Sequence, residues 1–296
     1  MRARVSVAAT SANLGPGFDS FGLALDLLDD VTVETDAGPE VRWEGEGAAE
    51  LPTDRTDRIS EAMELLARRF DVPLPAYAMT ATNRIPLGRG LGSSSAAAVA
   101  GIVLASVLLD LGVHEDRDSV FALAAEIEGH PDNAAPAVHG GFTIALPDGS
   151  VRRLDPHPEL RPVLLIPPAP VATADARSAL PASVARDDAV FNLAHAALAV
   201  EALTRDPSLL PAALQDRLHQ RARLAMAAEV VPEIEDVVEG LARHRLPWCL
   251  SGAGPTILVF EPVEGAVTAA SLEIRGEWRI LRPGVRTTGY AVLVEP

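Results

Sequence analysis

The residues most able to do chemistry lie between Ile85 and Ala98, where Gly88, Gly90 and Gly92 alternate with other residues and Ser93, Ser94 and Ser95 follow. Glycines at this spacing let the backbone take positive φ and approach a ligand without a Cβ in the way. The apolar run Ala96 to Leu111 reads as a helix leaving that loop, capped by the serines. Its unpaired N–H groups and positive dipole end would then point into the loop, which makes an anion site. Phosphate is the natural guest, and a triphosphate would also need a metal that hydroxyls help to hold. The plainer alternative is a glycine-rich turn entering a buried helix.

Two familiar phosphate motifs are excluded. A Walker A loop needs a lysine at the helix start, and this chain has no lysine, all its basic residues being arginine. The glycine spacing and the lack of a following acidic residue rule out a dinucleotide fingerprint.

Two further loops share the small-residue character. One runs from Thr10 to Gly22 and contains Asn13, Phe18 and Asp19; the other is Ser251 to Thr256. A fourth polar segment, Glu128-Gly129-His130-Pro131-Asp132-Asn133, ends a helical stretch.

The elements that position these loops follow from periodicity. Arg2 to Ala9 alternates as a strand, Leu23 to Glu34 as one or two, and Val41 to Trp43 as another. Ile59 to Phe70 and Ser119 to Glu128 have helical period, and Tyr77 to Thr82 is a strand delivering the chain to the glycine loop. Strands follow at Phe142 to Leu146, Val151 to Leu154 and Val163 to Ile166, and a domain boundary near residue 160 divides 1–160 from 161–296. The second half carries helical patterns at Thr173 to Leu180, Arg186 to Thr204, Pro207 to Met226 and Ile234 to His244. Its strands are Trp248 to Leu250, Thr256 to Phe260, Trp278 to Leu281 and Ala291 to Val294. Strands and helices in mixed order predict an α+β fold.

At 296 residues and 48% hydrophobic the chain can build a large aliphatic core. A net charge of −16 argues against a nucleic-acid partner. It also raises the question of a high-salt setting, against the alternative of a moderately acidic bacterial protein. No apolar leader opens the chain, Ala96 to Leu111 is short for a membrane span, and the single cysteine, Cys249, fits a reducing compartment. A cytoplasmic protein without membrane contact is expected.

Taken together, the loops match a known set. Ala9 to Asp19 resembles the first motif of the GHMP kinases, Gly88 to Ala97 the ATP-phosphate motif, and Ser251 to Thr256 the third. With Glu128 to Asn133, their form is similar to the homoserine kinase family in particular, over nearly the whole chain. The resemblance implies a first half like domain 2 of ribosomal protein S5, a ferredoxin-like second half, and ATP and an amino acid meeting between them. It implies transfer of the γ-phosphoryl of ATP to the hydroxyl of L-homoserine, giving O-phosphohomoserine on the route to threonine, with a homodimer as the family-level expectation. A mevalonate-type or sugar kinase, or a non-catalytic sensor on the same scaffold, are the alternatives.

Roles follow from that resemblance. Pro86, Leu87, Gly88, Arg89, Gly90, Leu91, Gly92, Ser93, Ser94, Ser95 and Ala96 would wrap the triphosphate. Ser94, or a neighbour, and Glu128 would hold Mg²⁺, with Glu126 the rival carboxylate. A zwitterionic substrate needs an acceptor for its ammonium, which Asp19 suits, and a cation for its carboxylate, which Arg177 and Arg223 suit. Arg177 belongs to a Thr-x-x-x-Arg segment beginning at Thr173; at the second position the chain departs from the family pattern, so Arg221 rivals Arg223. Asn13, His130 and Asn133 would orient substrate, and Asp132 is the one carboxylate beside them able to act as a base, although phosphoryl transfer does not demand one. Ser251 to Thr256 would buttress the phosphate loop, Cys249 would be a small core residue, and the residues that contact the nucleotide base stay open.

Overall fold

A computed structural model describes residues 1–171, 173–268, 274 and 277–295, with the side chains of 173–175 outside the description. In chain order the first half reads β1 (Arg2–Ala12), β2 (Phe21–Glu34), β3 (Val41–Gly45), α1 (Arg58–Phe70), β4 (Ala78–Asn83), α2 (Ser93–Leu108), α3 (Arg117–Glu128), α4 (Ala134–His139), β5 (Phe142–Ala145) and β6 (Val151–Leu154). The second half reads β7 (Pro162–Ile166), α5 (Thr173–Ser178), α6 (Arg186–Thr204), α7 (Leu210–Ala213), α8 (Gln220–Ala228), α9 (Ile234–Arg243), β8 (Trp248–Leu250), β9 (Ile257–Phe260), β10 (Arg279–Leu281) and β11 (Ala291–Glu295).

The strands make two mainly antiparallel sheets, in agreement with the α+β expectation. Seven strands form the first in the order β11-β1-β2-β4-β3, with β5 pairing β2 and β6; four form the second in the order β10-β7-β9-β8. All pairs are antiparallel except β3 with β4. The sheets change over in the connection between β6 and β7, and β11 returns to the first sheet, pairing β1 from Arg2↔Glu295 to Ser6↔Ala291.

α2 is buried on nearly every side from Ser95 to Leu108, as its unbroken Ala/Val/Ile/Leu run requires of a helix with no polar face. It lies against α1, α3 and β1, in a core that includes Val5, Val7, Val31, Met63, Leu66, Val99, Ile102 and Phe142. α1 begins at Asp57, whose side chain accepts from Ser60 N–H, a cap that contributes about 1 kcal/mol. A second core, with Val163, Leu165, Ile234, Val237, Leu241 and Ile257, lies between the four-stranded sheet and the helices of the second half.

Two expectations need correction. The helix after the glycine loop begins at Ser93, not Ala96, and its cap is Gly92 in the left-handed conformation with no side-chain cap bond. The serines therefore stand in the first helical turn. The continuous helix expected from Pro207 to Met226 is broken into a 3-10 turn, α7 and α8. Asp216 makes the break, accepting the N–H groups of Leu218, His219 and Gln220.

Candidate active site

The three small-residue loops meet. Thr10 N–H donates to Leu91 O at 3.0 Å, Gly252 N–H to Ala12 O at 3.1 Å, and Ser251 Oγ to Gly90 O at 2.7 Å. Asn13 ties them further: its Nδ2 donates to Gly252 O and its Oδ1 accepts from Asp19 N–H, each at 2.9 Å. Both ends of the Asn13 amide are thus spent inside the protein, in a residue held at φ 68°.

The glycine loop has little room to be anything else. Gly88, Gly90 and Gly92 all have φ between 63° and 71°. A Cβ on Gly92 would come 1.9 Å from Thr10 Oγ1, and one on Gly90 would come 2.2 Å from Ser251 O. From Gly88 to Ser95, eight consecutive backbone N–H groups donate to no other group among the described residues. Unpaired amides in sequence at the start of a buried helix form an anion-binding concavity. The Arg89 side chain is not part of it: its guanidinium bonds Pro167 O, Pro168 O and Leu87 O.

Glu128 closes the far side. Its two oxygens accept from Ser94 Oγ and Ser95 Oγ, each at 2.8 Å, while the carboxylate is 5% exposed and Arg58 Nε stands 3.8 Å away. Glu126 points elsewhere, paired with Arg69 on the surface at 2.7 Å. A buried carboxylate with two hydroxyls is a hard oxygen set, suited to Mg²⁺, which takes few protein ligands and completes its shell with water and phosphate. Among the described residues no group of three or more His, Cys, Asp or Glu side chains is placed to hold a metal ion.

A cavity of about 150 Å³ opens beside the first turns of α2. Ser93, Ser94, Ala96, Ala97 and Ala100 line it on the helix side, and Val7, Asp29 and Val31 on the sheet side. Trp43, Leu51, Ile59, Asn83 and Leu87 close it, with Asp57 and Arg58 at the start of α1.

On the other side of the loops is a charged cluster. Arg177 and Asp19 form an ion pair, and His130 Nδ1 lies 2.9 Å from Asp132 Oδ1. With the carboxylate as acceptor, Nδ1 carries the hydrogen. That bond raises the His130 pKa above its ordinary value against the opposing effect of burial. Asn133, the residue before α4, accepts from Thr10 Oγ1 of the first strand at 2.8 Å, and its Oδ1 lies 3.1 Å from where a Cβ on Gly92 would stand.

Arg223 is buried, lies over the Phe18 ring at 5.3 Å and donates to Gly252 O at 3.0 Å, while its Nε has no partner. Burial lowers its pKa, and the charges of Asp19 and Asp132 oppose that shift. Arg221 instead lines a groove with Leu224 and Glu235. His219, which spacing did not single out, is fully buried, stacks on Phe18 and bonds Gly15 O at 2.8 Å; burial lowers its pKa. The Thr173 side chain lies outside the described residues. Cys249 is a buried thiol pushed up to about 12 by burial, a core residue as expected.

Residues 57–141 match the family model for the GHMP kinases N terminal domain. The chain is 45% identical to a homoserine kinase of Clavibacter michiganensis, covering 99% of this chain and 94% of that one. It is 44% identical to a homoserine kinase of Leifsonia xyli, covering 97% and 91%. A crystal structure of homoserine kinase from Cytophaga hutchinsonii superposes with a TM-score of 0.82 at 26% identity, covering 99% and 97%. With relatives this similar along their whole length, the chain belongs to the homoserine kinase family of the GHMP kinases.

Proposed function

We propose that the protein transfers the γ-phosphoryl group of ATP to the side-chain hydroxyl of L-homoserine, giving O-phospho-L-homoserine for threonine synthesis. The observation that carries the phosphate half of this reading is the run of eight unpaired amides from Gly88 to Ser95. They supply charge neutralisation that other nucleotide sites draw from a lysine. The nucleoside would lie in the cavity along Ala96, Ala97 and Ala100, and Ser94 with Glu128 would hold Mg²⁺. Bound there, the metal would supply neutralisation of the triphosphate's negative charge.

The amino-acid half rests on the charged cluster. Asp19 offers an acceptor for the ammonium, and Arg177 with the unpartnered Nε of Arg223 offers donors for the carboxylate. Arg223 is supported over Arg221 by its burial among Phe18, Gly252 and His219. His130 and Asn133 would orient the acceptor hydroxyl, and Asn13 is a positioning residue that holds the first and third loops together. Asp132 serves His130 in this reading and is not assigned as a base, since a loose transition state needs positioning before deprotonation.

Residues 1–160 would form the nucleotide-side domain and 161–296 the second, with β11 lent back to the first sheet. No described helix is long and apolar enough to cross a membrane, and a cytoplasmic setting fits the buried, unpaired Cys249.

An ADP-release assay across L-homoserine, L-serine, mevalonate and galactose tests the proposal. Homoserine should be the substrate turned over, with a phosphomonoester product by ³¹P NMR. Turnover of another alcohol in its place, or of none, would overturn it.

A further inference from the structure

Asp29 is a carboxylate on the wrong side of a strand. Alternation along β2 places it with Val31 and Val33 on the face that α1 and α2 cover, and it is 8% exposed. A buried carboxylate with nothing to do is costly, and such groups are kept where they are hydrogen-bonded or used. Two bonds are visible: the N–H groups of Arg84 and Ile85 donate to it at 2.6 and 2.9 Å. Both reach the same oxygen, Oδ1. Oδ2 has no partner among the described residues, although Asp29 lines the cavity beside α2.

Three other polar side chains of that cavity already have partners within the protein. Asp57 spends both oxygens on Ser60, Trp43 Nε1 donates to Pro52 O, and the Asn83 amide nitrogen donates to Glu46 O. The walls around Asp29 are apolar and small, with Val7, Val31 and Ala100 among them. That lining suits a flat aromatic ring better than a sugar, whose hydroxyls would lose their water there.

We infer that Asp29 reads the nucleotide base: Oδ1 fixes it to the root of the glycine loop, and Oδ2 accepts a hydrogen bond from the exocyclic 6-amino group of adenine. The inference rests on reading the cavity as the nucleoside site. A 6-oxo purine would set a carbonyl oxygen against the carboxylate, acceptor against acceptor, and would be rejected. Burial lifts the Asp29 pKa to about 6, so at neutral pH the side chain remains mainly the acceptor-only carboxylate.

The test compares ATP with inosine triphosphate, which carries a carbonyl in place of the amine, by calorimetry with magnesium. Wild type should bind ATP more tightly by on the order of tenfold or more. In Asp29→Asn the Arg84 and Ile85 N–H groups still demand an acceptor, which pins the amide oxygen in place of Oδ1 and turns the NH₂ toward the cavity. The preference should then vanish or reverse in favour of inosine triphosphate. Asp29→Ala should bring the two affinities together. 2′-Deoxy-ATP serves as the ribose arm, and its penalty should be the same in wild type and both variants.

Equal wild-type affinities overturn the inference, whatever the variants do. So does a folded Asp29→Asn or Asp29→Ala protein with the wild-type ratio, or a change confined to the ribose arm. Wild-type protein that binds no nucleotide would instead defeat the proposed function itself.

Discussion

Asp19 and Arg177 face each other as a two-pronged ion pair, Nη1 to Oδ2 and Nη2 to Oδ1 at 2.9 Å each, across 158 residues of chain. Their charges are the complement of an amino acid's own, with a carboxylate where an ammonium would sit and a guanidinium where a carboxylate would. Homoserine would exchange partners with the pair as it enters.

Arg177→Ala should therefore raise the KM for homoserine by about 10- to 100-fold, with Arg177→Lys intermediate because a point charge cannot make the forked contact. The KM for ATP should stay within about twofold. Both side chains are partly exposed, 46% and 33%, so the pair adds less than about 1 kcal/mol to stability and melting should hardly move. Steady-state kinetics with a thermal melt checks all three; a parallel rise in both KM values would refute the assignment.

Glycine substitutions in the phosphate loop should rank by what their Cβ meets. Gly88→Ala finds its nearest neighbour, Pro170 Cβ, at 3.2 Å, and carries mainly the strain of positive φ, about 1 kcal/mol. Gly92→Ala strikes Thr10 Oγ1, and Gly90→Ala strikes the backbone oxygen of Ser251. Both should lose ATP affinity by more than about 100-fold, since a near-ångström displacement of the loop misplaces every amide. Thr10→Ala should partly rescue Gly92→Ala and leave Gly90→Ala unrescued, measured by nucleotide calorimetry.

The two carboxylates at the end of α3 should separate cleanly. Glu128→Gln removes the charge beside Ser94 and Ser95 and should lower kcat by about 100-fold while raising the magnesium concentration needed for half activity. Glu126→Gln loses a surface pair with Arg69 and should stay within about twofold of wild type. A magnesium titration of activity distinguishes them, and equal effects would move the metal away from Glu128.

The bond to Asp132 raises the folded-state pKa of His130 above its unfolded value, so the native protein holds that proton more tightly. The stabilisation is fully present below about pH 6.5, the unfolded value, and is lost as pH rises through the raised folded value. Urea melts of wild type and Asp132→Asn should differ most at pH 5.5 and converge by about pH 9. An NMR titration should find His130 above the ordinary histidine range in wild type and lower in the variant. A difference that grows with pH would show the sign to be wrong.

Much of the site was legible because its residues sit in short, chemically distinctive runs. Ser94 and Glu128 were paired from motif alone, and they meet at 2.8 Å. The third loop was expected beneath the phosphate loop, and Ser251 bonds Gly90 O. Asp29 was not legible as a site residue: it lay inside a run read only as strand, although its parity with Val31 and Val33 was a signal that it faces inward. α4 was missed because six residues of Ala-Ala-Pro-Ala-Val-His are too few to show a period. The break after α7 depends on one carboxylate folding back on three N–H groups, which leaves no trace in hydrophobic spacing. The mutual pairing of Asp19 and Arg177, each expected to await substrate, depends on a contact across 158 residues that no local pattern encodes.

The last strand of the first sheet carries a consequence for how the chain is made. β1 is made before every other strand of its sheet, yet the strand that covers its outer edge, β11, is synthesised only after the whole second half. Until then a row of unpaired N–H and C=O groups stands open on a nascent domain, a template for any passing strand. The ladder from Arg2 to Ser6 thus joins segments about 290 residues apart, a long-range contact of the kind that closes late in folding.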